Sequence, residues 1–184
     1  MSLQSWQETL VTAAVDGPTL TAAAAASCIP PAAKFVLPPN FFNAVGKALR
    51  IRASGRISCV VTTPGTARYD VRFGATIVAD SLAMNLNIVA KTNVNWWLEL
   101  LLTCRAIGTS ANLMWQGLWA SEAVIGSPLP TVGGSGEFIL PYNAAPAVGN
   151  NFDSTASQAV DLFFTQTVAT GSMTLHQYAL ESIN

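Results

Sequence analysis

The stretch NWWLELLLTCR, from Asn95 to Arg105, restricts the fold of this chain more than any other. Side chains of a β-strand point alternately to its two faces, so residues two apart share a face. One parity of the stretch is entirely apolar and comprises Trp96, Leu98, Leu100, Leu102 and Cys104. The other parity is mixed and comprises Trp97, Glu99, Leu101, Thr103 and Arg105. This pattern predicts a strand with one face in a core and the other face half-buried.

A second alternating stretch, from Leu49 to Val61, predicts a strand of the antiparallel type. Its apolar or glycine parity comprises Leu49, Ile51, Ala53, Gly55, Ile57, Cys59 and Val61. Its polar parity comprises Arg50, Arg52, Ser54, Arg56 and Ser58. Strict alternation of this kind is typical of a strand with one wet face. Gly55 in the apolar row predicts a bulge or a bend.

The rest of the chain favours an all-β fold. Short alternating segments follow one another between turns rich in glycine and proline, and none has the sustained 3.6-residue period of an amphipathic helix. Roughly eight to ten such strands predict an antiparallel two-sheet sandwich. For a chain of 184 residues a jelly roll is the leading topology. An immunoglobulin-like module, which is usually shorter, is the second topology.

The N-terminal residues differ from the rest of the chain. Ala22 to Ala26 form a five-alanine run that is too short to nucleate a helix, and Pro38-Pro39 opposes regular strand pairing. Gln7 to Val15 is a candidate first strand. We therefore expect residues 1–40 to form an irregular arm or first strand that packs on its own domain or on a neighbouring subunit. Residues 41–184 are predicted to form the jelly-roll domain.

The composition indicates that part of the surface is covered by other chains. Only 10% of the residues are charged, against about 25% in ordinary soluble domains. Nine Lys and Arg are scattered along a chain of net charge −1, so we expect no nucleic-acid partner. The chain has no uninterrupted run of 18 apolar residues, so we expect no membrane span. Its N-terminus lacks the cationic region of a Sec-type signal peptide, so we expect no such peptide.

The residues that carry catalysis or metal binding show no recognisable pattern. The three cysteines, Cys28, Cys59 and Cys104, have no metal-ligand spacing and are expected to be buried thiols of a chain made in a reducing cytoplasm. His176 is the only histidine, and no G-x-S-x-G motif accompanies it. We therefore expect no enzyme, no metal and no cofactor, and we expect His176 at a surface or an interface.

Several stretches together resemble a known class of proteins. They are TTPGTARYDVRFG, TNVNWWLELLLTCRAIG, NFDSTASQAVDLFFTQTV and TGSMTLHQYALESIN. They are similar to small β-rich virion proteins of tailed bacteriophages, which include head-decoration (cement), head-fibre and tail-associated jelly rolls and are usually trimeric. The resemblance runs from about Pro30 to Asn184. It implies a structural role in the virion, a homotrimer, and contact with the major capsid protein or another virion structural protein. It implies no catalytic residues.

The resemblance and the low charge together lead to one expected function. We expect a capsid decoration protein that is made in the host cytoplasm, binds the outer capsid surface as a trimer and stabilises the shell. Aromatic residues are enriched at subunit interfaces. The candidate interface residues are Trp97, Leu101, Glu99, Arg105, His176 and Tyr178.

Two other classes of function remain as alternatives. Trp96, Trp115 and Trp119 are expected in the core, whereas Trp97 faces either a glycan or a subunit interface. A glycan-facing Trp97 would fit a host-glycan-binding adhesin module of a head or tail fibre, with exposed aromatics beside Asn and Asp in loops such as residues 144–154. The third class, a hydrolase or isomerase of the cupin kind, needs a histidine-rich metal site, which one histidine does not supply.

Overall fold

Two antiparallel sheets account for most of the chain. The computed structural model describes residues 6–60, 64–125 and 136–183, and within them it contains twelve strands and one turn of 3-10 helix. The strands are β1 (Gln7–Thr12), β2 (Ala25–Ser27), β3 (Phe35–Leu37), β4 (Ala48–Cys59), β5 (Thr66–Phe73), β6 (Thr76–Asp80), β7 (Met84–Asn85), β8 (Lys91–Ala106), β9 (Asn112–Ser121), β10 (Gly136–Leu140), β11 (Gln158–Gln166) and β12 (Ser172–Ile183). No helix in these ranges is long and apolar enough to cross a membrane.

The order of the strands is that of a jelly roll. The first sheet has the order β1-β12-β4-β8-β9-β10, and the second has the order β2-β11-β5-β6, with β3 beside β11 and β7 beside β5. The set β1-β12-β4-β8 opposite β2-β11-β5-β6 is the arrangement that two Greek keys give to eight strands. Strands β9 and β10 extend the first sheet beyond β8. The predicted antiparallel sandwich is therefore confirmed.

The N-terminal residues contribute strands to both sheets of this jelly roll. β1 pairs with β12 in the first sheet, while β2 and β3 both pair with β11 in the second. Cys28, Ile29 and Leu37 are at most 1% exposed and belong to the common core. The boundary drawn at residue 40 thus falls inside the jelly roll, and residues 25–27, which we expected in an irregular arm, form a strand.

The core lies between the sheets and is built from the parity that the sequence indicated. Trp96, Leu98, Leu100, Leu102 and Cys104 of β8 are at most 3% exposed. The ring of Tyr69 on β5 lies 5.3 Å from Trp96, 4.8 Å from Trp119 and 5.3 Å from Phe164, measured between centroids. Burying each such aromatic side chain contributes about 2 kcal/mol or more, so this cluster is a principal link between the sheets.

The cysteines belong to this core. Within the described residues all three are free and buried. Burial raises the pKa of the Cys28 thiol, with a smaller contribution from the nearby carboxylate of Asp161, so the thiol stays protonated. A protonated, buried thiol is a poor nucleophile and a poor metal ligand, because both roles require the thiolate.

Two β-bulges interrupt the regular pairing of the first sheet at one end. In β12 the register shifts between Leu175 and Gln177, so His176 is the extra residue. In β8 the register shifts near Asn93, whose φ of 51° lies in the left-handed region. Gly55 of β4 pairs with Leu175 beside the first bulge, and a Cβ atom on Gly55 would lie 2.0 Å from the carbonyl oxygen of Thr174. The β12 backbone can therefore approach β4 this closely only because residue 55 is glycine.

We expect Gly55→Ala to lower the free energy of unfolding by about 2 kcal/mol or more, because backbone rather than a flexible side chain blocks the new methyl group. Urea unfolding followed by circular dichroism measures this loss. Ser54→Ala, at the neighbouring half-buried position, is the matched control and should change stability by no more than about 0.5 kcal/mol. Equal stability of the two variants would show that β12 shifts easily away from β4.

Candidate functional site

The outer face of the first sheet carries a contiguous group of exposed apolar side chains. Leu118 of β9 lies between Glu99 of β8 and Ile139 of β10 in the strand register. Leu101 and Trp97 occupy the positions on β8 two residues to either side of Glu99 on the same face. The exposed fractions are 42% for Trp97, 45% for Leu101, 37% for Leu118 and 74% for Ile139. These four residues are called the apolar patch below.

The two arginines beside the patch, Arg50 and Arg52, are neutralised within the chain. The Glu181 side chain is only 4% exposed and accepts hydrogen bonds from Arg50 Nε, at 2.7 Å, and from Arg52 Nη2. Burial opposes ionisation of Glu181, but the hydrogen bonds and positive charges of the two arginines outweigh it and lower the carboxyl pKa. Paired charges of this kind sit at the edge of many protein interfaces, where Arg is enriched.

The outer face of the second sheet has a different character. The Asp70 side chain is fully buried beneath Arg68 and Arg72, and Asp161 Oδ2 lies 2.7 Å from Lys34 Nζ. The Arg72 guanidinium carbon also lies 3.7 Å from the ring centroid of Phe163. The charged groups of this face pair with one another beside the apolar side chains of Val36 and Phe163.

A groove begins at Trp97 and extends along the end of the first sheet towards Asn93, away from Leu101. It has a volume of about 1090 Å³, and the structure describes lining residues from all of β4, β8, β9, β10 and β12. Its polar and aromatic lining side chains include Asn93, Asn95, Trp97, Glu122, Glu137, His176 and Gln177. A smaller depression of about 200 Å³, lined by Arg52 and Ala179 among others, lies on the other side of Trp97. The larger depression is called the Trp97 groove below.

Both β-bulges border this groove. His176, the extra residue of β12, lines it and places Nδ1 2.8 Å from Asp16 Oδ1. Asn93 also lines it, and its backbone N–H donates to Ser58 Oγ at 3.0 Å. Bulges often occur beside binding sites because they redirect a side chain that regular pairing would point elsewhere.

The structure separates the six predicted interface residues. Trp97 and Leu101 lie in the apolar patch, and Glu99 is half-buried between them. Arg105 is exposed on the same face of β8 but lies beyond Leu101, and His176 borders the groove rather than the patch. The six residues therefore do not form one continuous surface, and an interface role is proposed below only for those in the apolar patch.

Tyr178 requires a correction. It is only 3% exposed and packs in the core of its own chain, so its side chain offers almost no surface to another subunit. The bulge at His176 is the reason, because it reverses the parity of β12 and brings Tyr178 to the inner face. Burial raises the pKa of the Tyr178 hydroxyl, in keeping with this position.

Leu118 and Ile139 are patch residues that are not among the six interface residues predicted from the sequence. The signal for Leu118 is present in the sequence, because it has the parity opposite to Trp115 and Trp119, which are buried as expected. Its position next to Ile139 depends on the pairing of β9 with β10. No cluster of three His, Cys, Asp or Glu suited to a metal occurs among the described residues.

Comparison with known proteins adds little to this description. No protein-family profile matches the chain, and no curated protein matches it. Among solved structures, the chain is similar to the CBM2 module of the evolved Dit of Lactobacillus casei BL23 phage J-1, with 11% sequence identity and a TM-score of 0.36. The match covers 82% of this chain and 68% of that one. A similarity of this size assigns neither a family nor a function.

We expect Glu181→Gln to lower the free energy of unfolding at pH 7 by about 2 kcal/mol, because it leaves two arginines beside a neutral group. The pKa of folded Glu181 is below its ordinary value of 4.5. Its carboxylate therefore stabilises the fold above that pH, and the contribution is lost as the pH falls through the folded pKa.

The stability difference between wild type and Glu181→Gln should accordingly narrow as the pH falls below about 4.5. Urea unfolding over a series of pH values measures it. Glu137→Gln, at an exposed position, is the control and should change stability by no more than about 0.5 kcal/mol at any pH. A difference between wild type and Glu181→Gln that does not vary with pH would contradict the role given to the carboxylate.

Proposed function

We propose that this protein is a structural component of a tailed-phage virion, specifically a capsid decoration protein. In this proposal it forms a homotrimer, binds the outer capsid surface and stabilises the shell, and it catalyses no reaction. The observation that carries the proposal is the apolar patch, in which four large hydrophobic side chains lie exposed together on one sheet face. Contiguous exposed apolar surface of this kind marks protein–protein contact.

The surroundings of the patch support contact with another protein chain. Its aromatic member is Trp97, its flanking cations are Arg50 and Arg52, and both arginines are bound to Glu181. Trp and Arg are enriched at interfaces, and lysine is depleted. Standard interfaces bury about 800 Å² on each partner, which is an area that one face of a six-stranded sheet can supply.

A second copy of this chain is the proposed occupant of the patch. The resemblance of the strand motifs to phage decoration proteins favours a trimer, in which three copies bury the patch around a threefold axis. The major capsid protein, or another virion structural protein, is then the partner of a different surface. Symmetry repeats that contact in every trimer, so a modest affinity at each site becomes stable attachment.

Leu118→Arg places a guanidinium in the middle of the patch, and we expect it to convert the trimer into a monomer. Light scattering coupled to size-exclusion chromatography measures the mass of each species. Val36→Arg is the matched control, because Val36 is 58% exposed but lies on β3 in the second sheet. This control should remain trimeric, and circular dichroism should show that both variants fold. A monomeric wild type would overturn the proposed trimer.

The position on the capsid has its own test. Quantitative mass spectrometry of purified virions should find the protein in amounts comparable to the major capsid protein, because a decoration protein repeats with the lattice. A few copies per particle would instead indicate a fibre or a vertex and would contradict the decoration role.

A further inference from the structure

The Trp97 side chain combines two properties that core packing does not explain. It is 42% exposed, and it separates two depressions in the surface, the Trp97 groove and the smaller depression beside Arg52. An exposed indole presents a large flat apolar surface to water at a cost in free energy, unless something covers it. The patch accounts for contact on the side of Leu101, but it does not account for the groove on the other side.

The remaining groove residues provide polar groups that can hydrogen-bond to a ligand. Asn93, Asn95 and Gln177 carry amides, each with donors and an acceptor, and Glu137 carries a carboxylate acceptor. A sugar hydroxyl is both a donor and an acceptor, so amides and carboxylates match it well. The C–H face of a pyranose ring is apolar and flat enough to stack on an indole. An exposed Trp beside several amides and a carboxylate therefore suits a saccharide better than a purely apolar ligand.

The charge of the groove restricts the class of saccharide. Glu122 and Glu137 both line it, and no arginine lines it among the described residues. The ammonium of Lys91 is 3.1 Å from the Glu122 carboxylate, and His176 faces Asp16. Two carboxylates and no arginine occur among the described residues that line the groove, so the groove favours an uncharged ligand over an anionic one.

The construction of the groove also points to a ligand. Two separate bulges, at His176 and near Asn93, open the end of the sheet at this place, and Asn93 adopts a left-handed backbone conformation. Backbone conformations of this kind cluster at binding sites. The volume of about 1090 Å³ slightly exceeds the roughly 300–1,000 Å³ of small-molecule pockets, which suits more than one sugar ring.

We propose that the Trp97 groove binds an uncharged oligosaccharide. The Trp97 indole stacks on one pyranose ring, and Asn95, Glu137 and Gln177 hydrogen-bond to its hydroxyl groups. This site goes beyond the decoration role. It requires that the trimer cover Trp97 only from the side of Leu101, because the groove opens on the opposite side of the indole.

The test is an array of neutral hexose and N-acetylhexosamine oligosaccharides, printed with sialylated and sulfated ones. Full-length wild-type protein should bind at least one neutral oligosaccharide, and calorimetry with that sugar then gives its affinity. Trp97→Ala should weaken binding at least tenfold, and Trp97→Phe should restore much of it because a phenyl ring still stacks. Val36→Ala is the control, since Val36 is 58% exposed on β3 of the second sheet, outside the patch and the groove, and should leave sugar affinity unchanged.

Each other outcome would overturn the proposed site. These outcomes are binding to anionic sugars alone, no binding to any printed sugar, and an affinity that Trp97→Ala leaves unchanged. Light scattering on the same samples separates this proposal from the trimer. A wild-type monomer that binds the neutral sugar supports the site and overturns the trimer, and a trimer that binds no sugar does the reverse.

Discussion

The burial of Trp96 between the two sheets is the constraint on which the rest of the structure depends. Its ring packs 5.3 Å from that of Tyr69, and its indole N–H donates to the Arg56 carbonyl oxygen at 3.2 Å. Successive side chains of a strand face opposite ways, so an inward Trp96 forces Trp97 outward. A register slip of one residue would bury Trp97 together with Glu99 and Arg105 and expose the apolar row. The free energy that holds the core together therefore also fixes the exposed indole.

Much of the fold follows from local patterns, and the remainder depends on distant pairing. The alternation in β4 and β8 identifies both strands and their buried faces, because each is long enough to show the period clearly. The short strand Ala25–Ser27 shows no such pattern, since alanine is compatible with many conformations. It becomes a strand because Phe163, Phe164 and Thr165 of β11 pair with it. That partner lies far along the chain, and no window of sequence around residue 25 contains it.

The same distinction explains what could be predicted of the surface. The outward positions of Trp97 and Leu101 follow from the alternation of β8 alone. The position of Ile139 beside Leu118 follows only from the pairing of β9 with β10. Tyr178 is an error in the other direction: regular alternation along β12 predicts that it faces outward, but it is buried. The close approach of β12 to Gly55 and the bulge at His176 shift that parity, and only a backbone hydrogen-bonding pattern records such a shift.

Most of the few charged side chains on the two outer sheet faces are paired with one another within the chain. Lys34 pairs with Asp161, Arg68 and Arg72 surround Asp70, and Arg50 and Arg52 hold Glu181. Covering a sheet face is costly when it strips water from an unpaired charge, and cheaper when the charges are already paired within one chain. The arginines beside the apolar patch meet this condition, since they share a carboxylate that is almost inaccessible to water. A partner that covers the patch would therefore not strip water from unpaired charges at Arg50 and Arg52. It would still have to accommodate Glu99, which lies half-buried between Trp97 and Leu101.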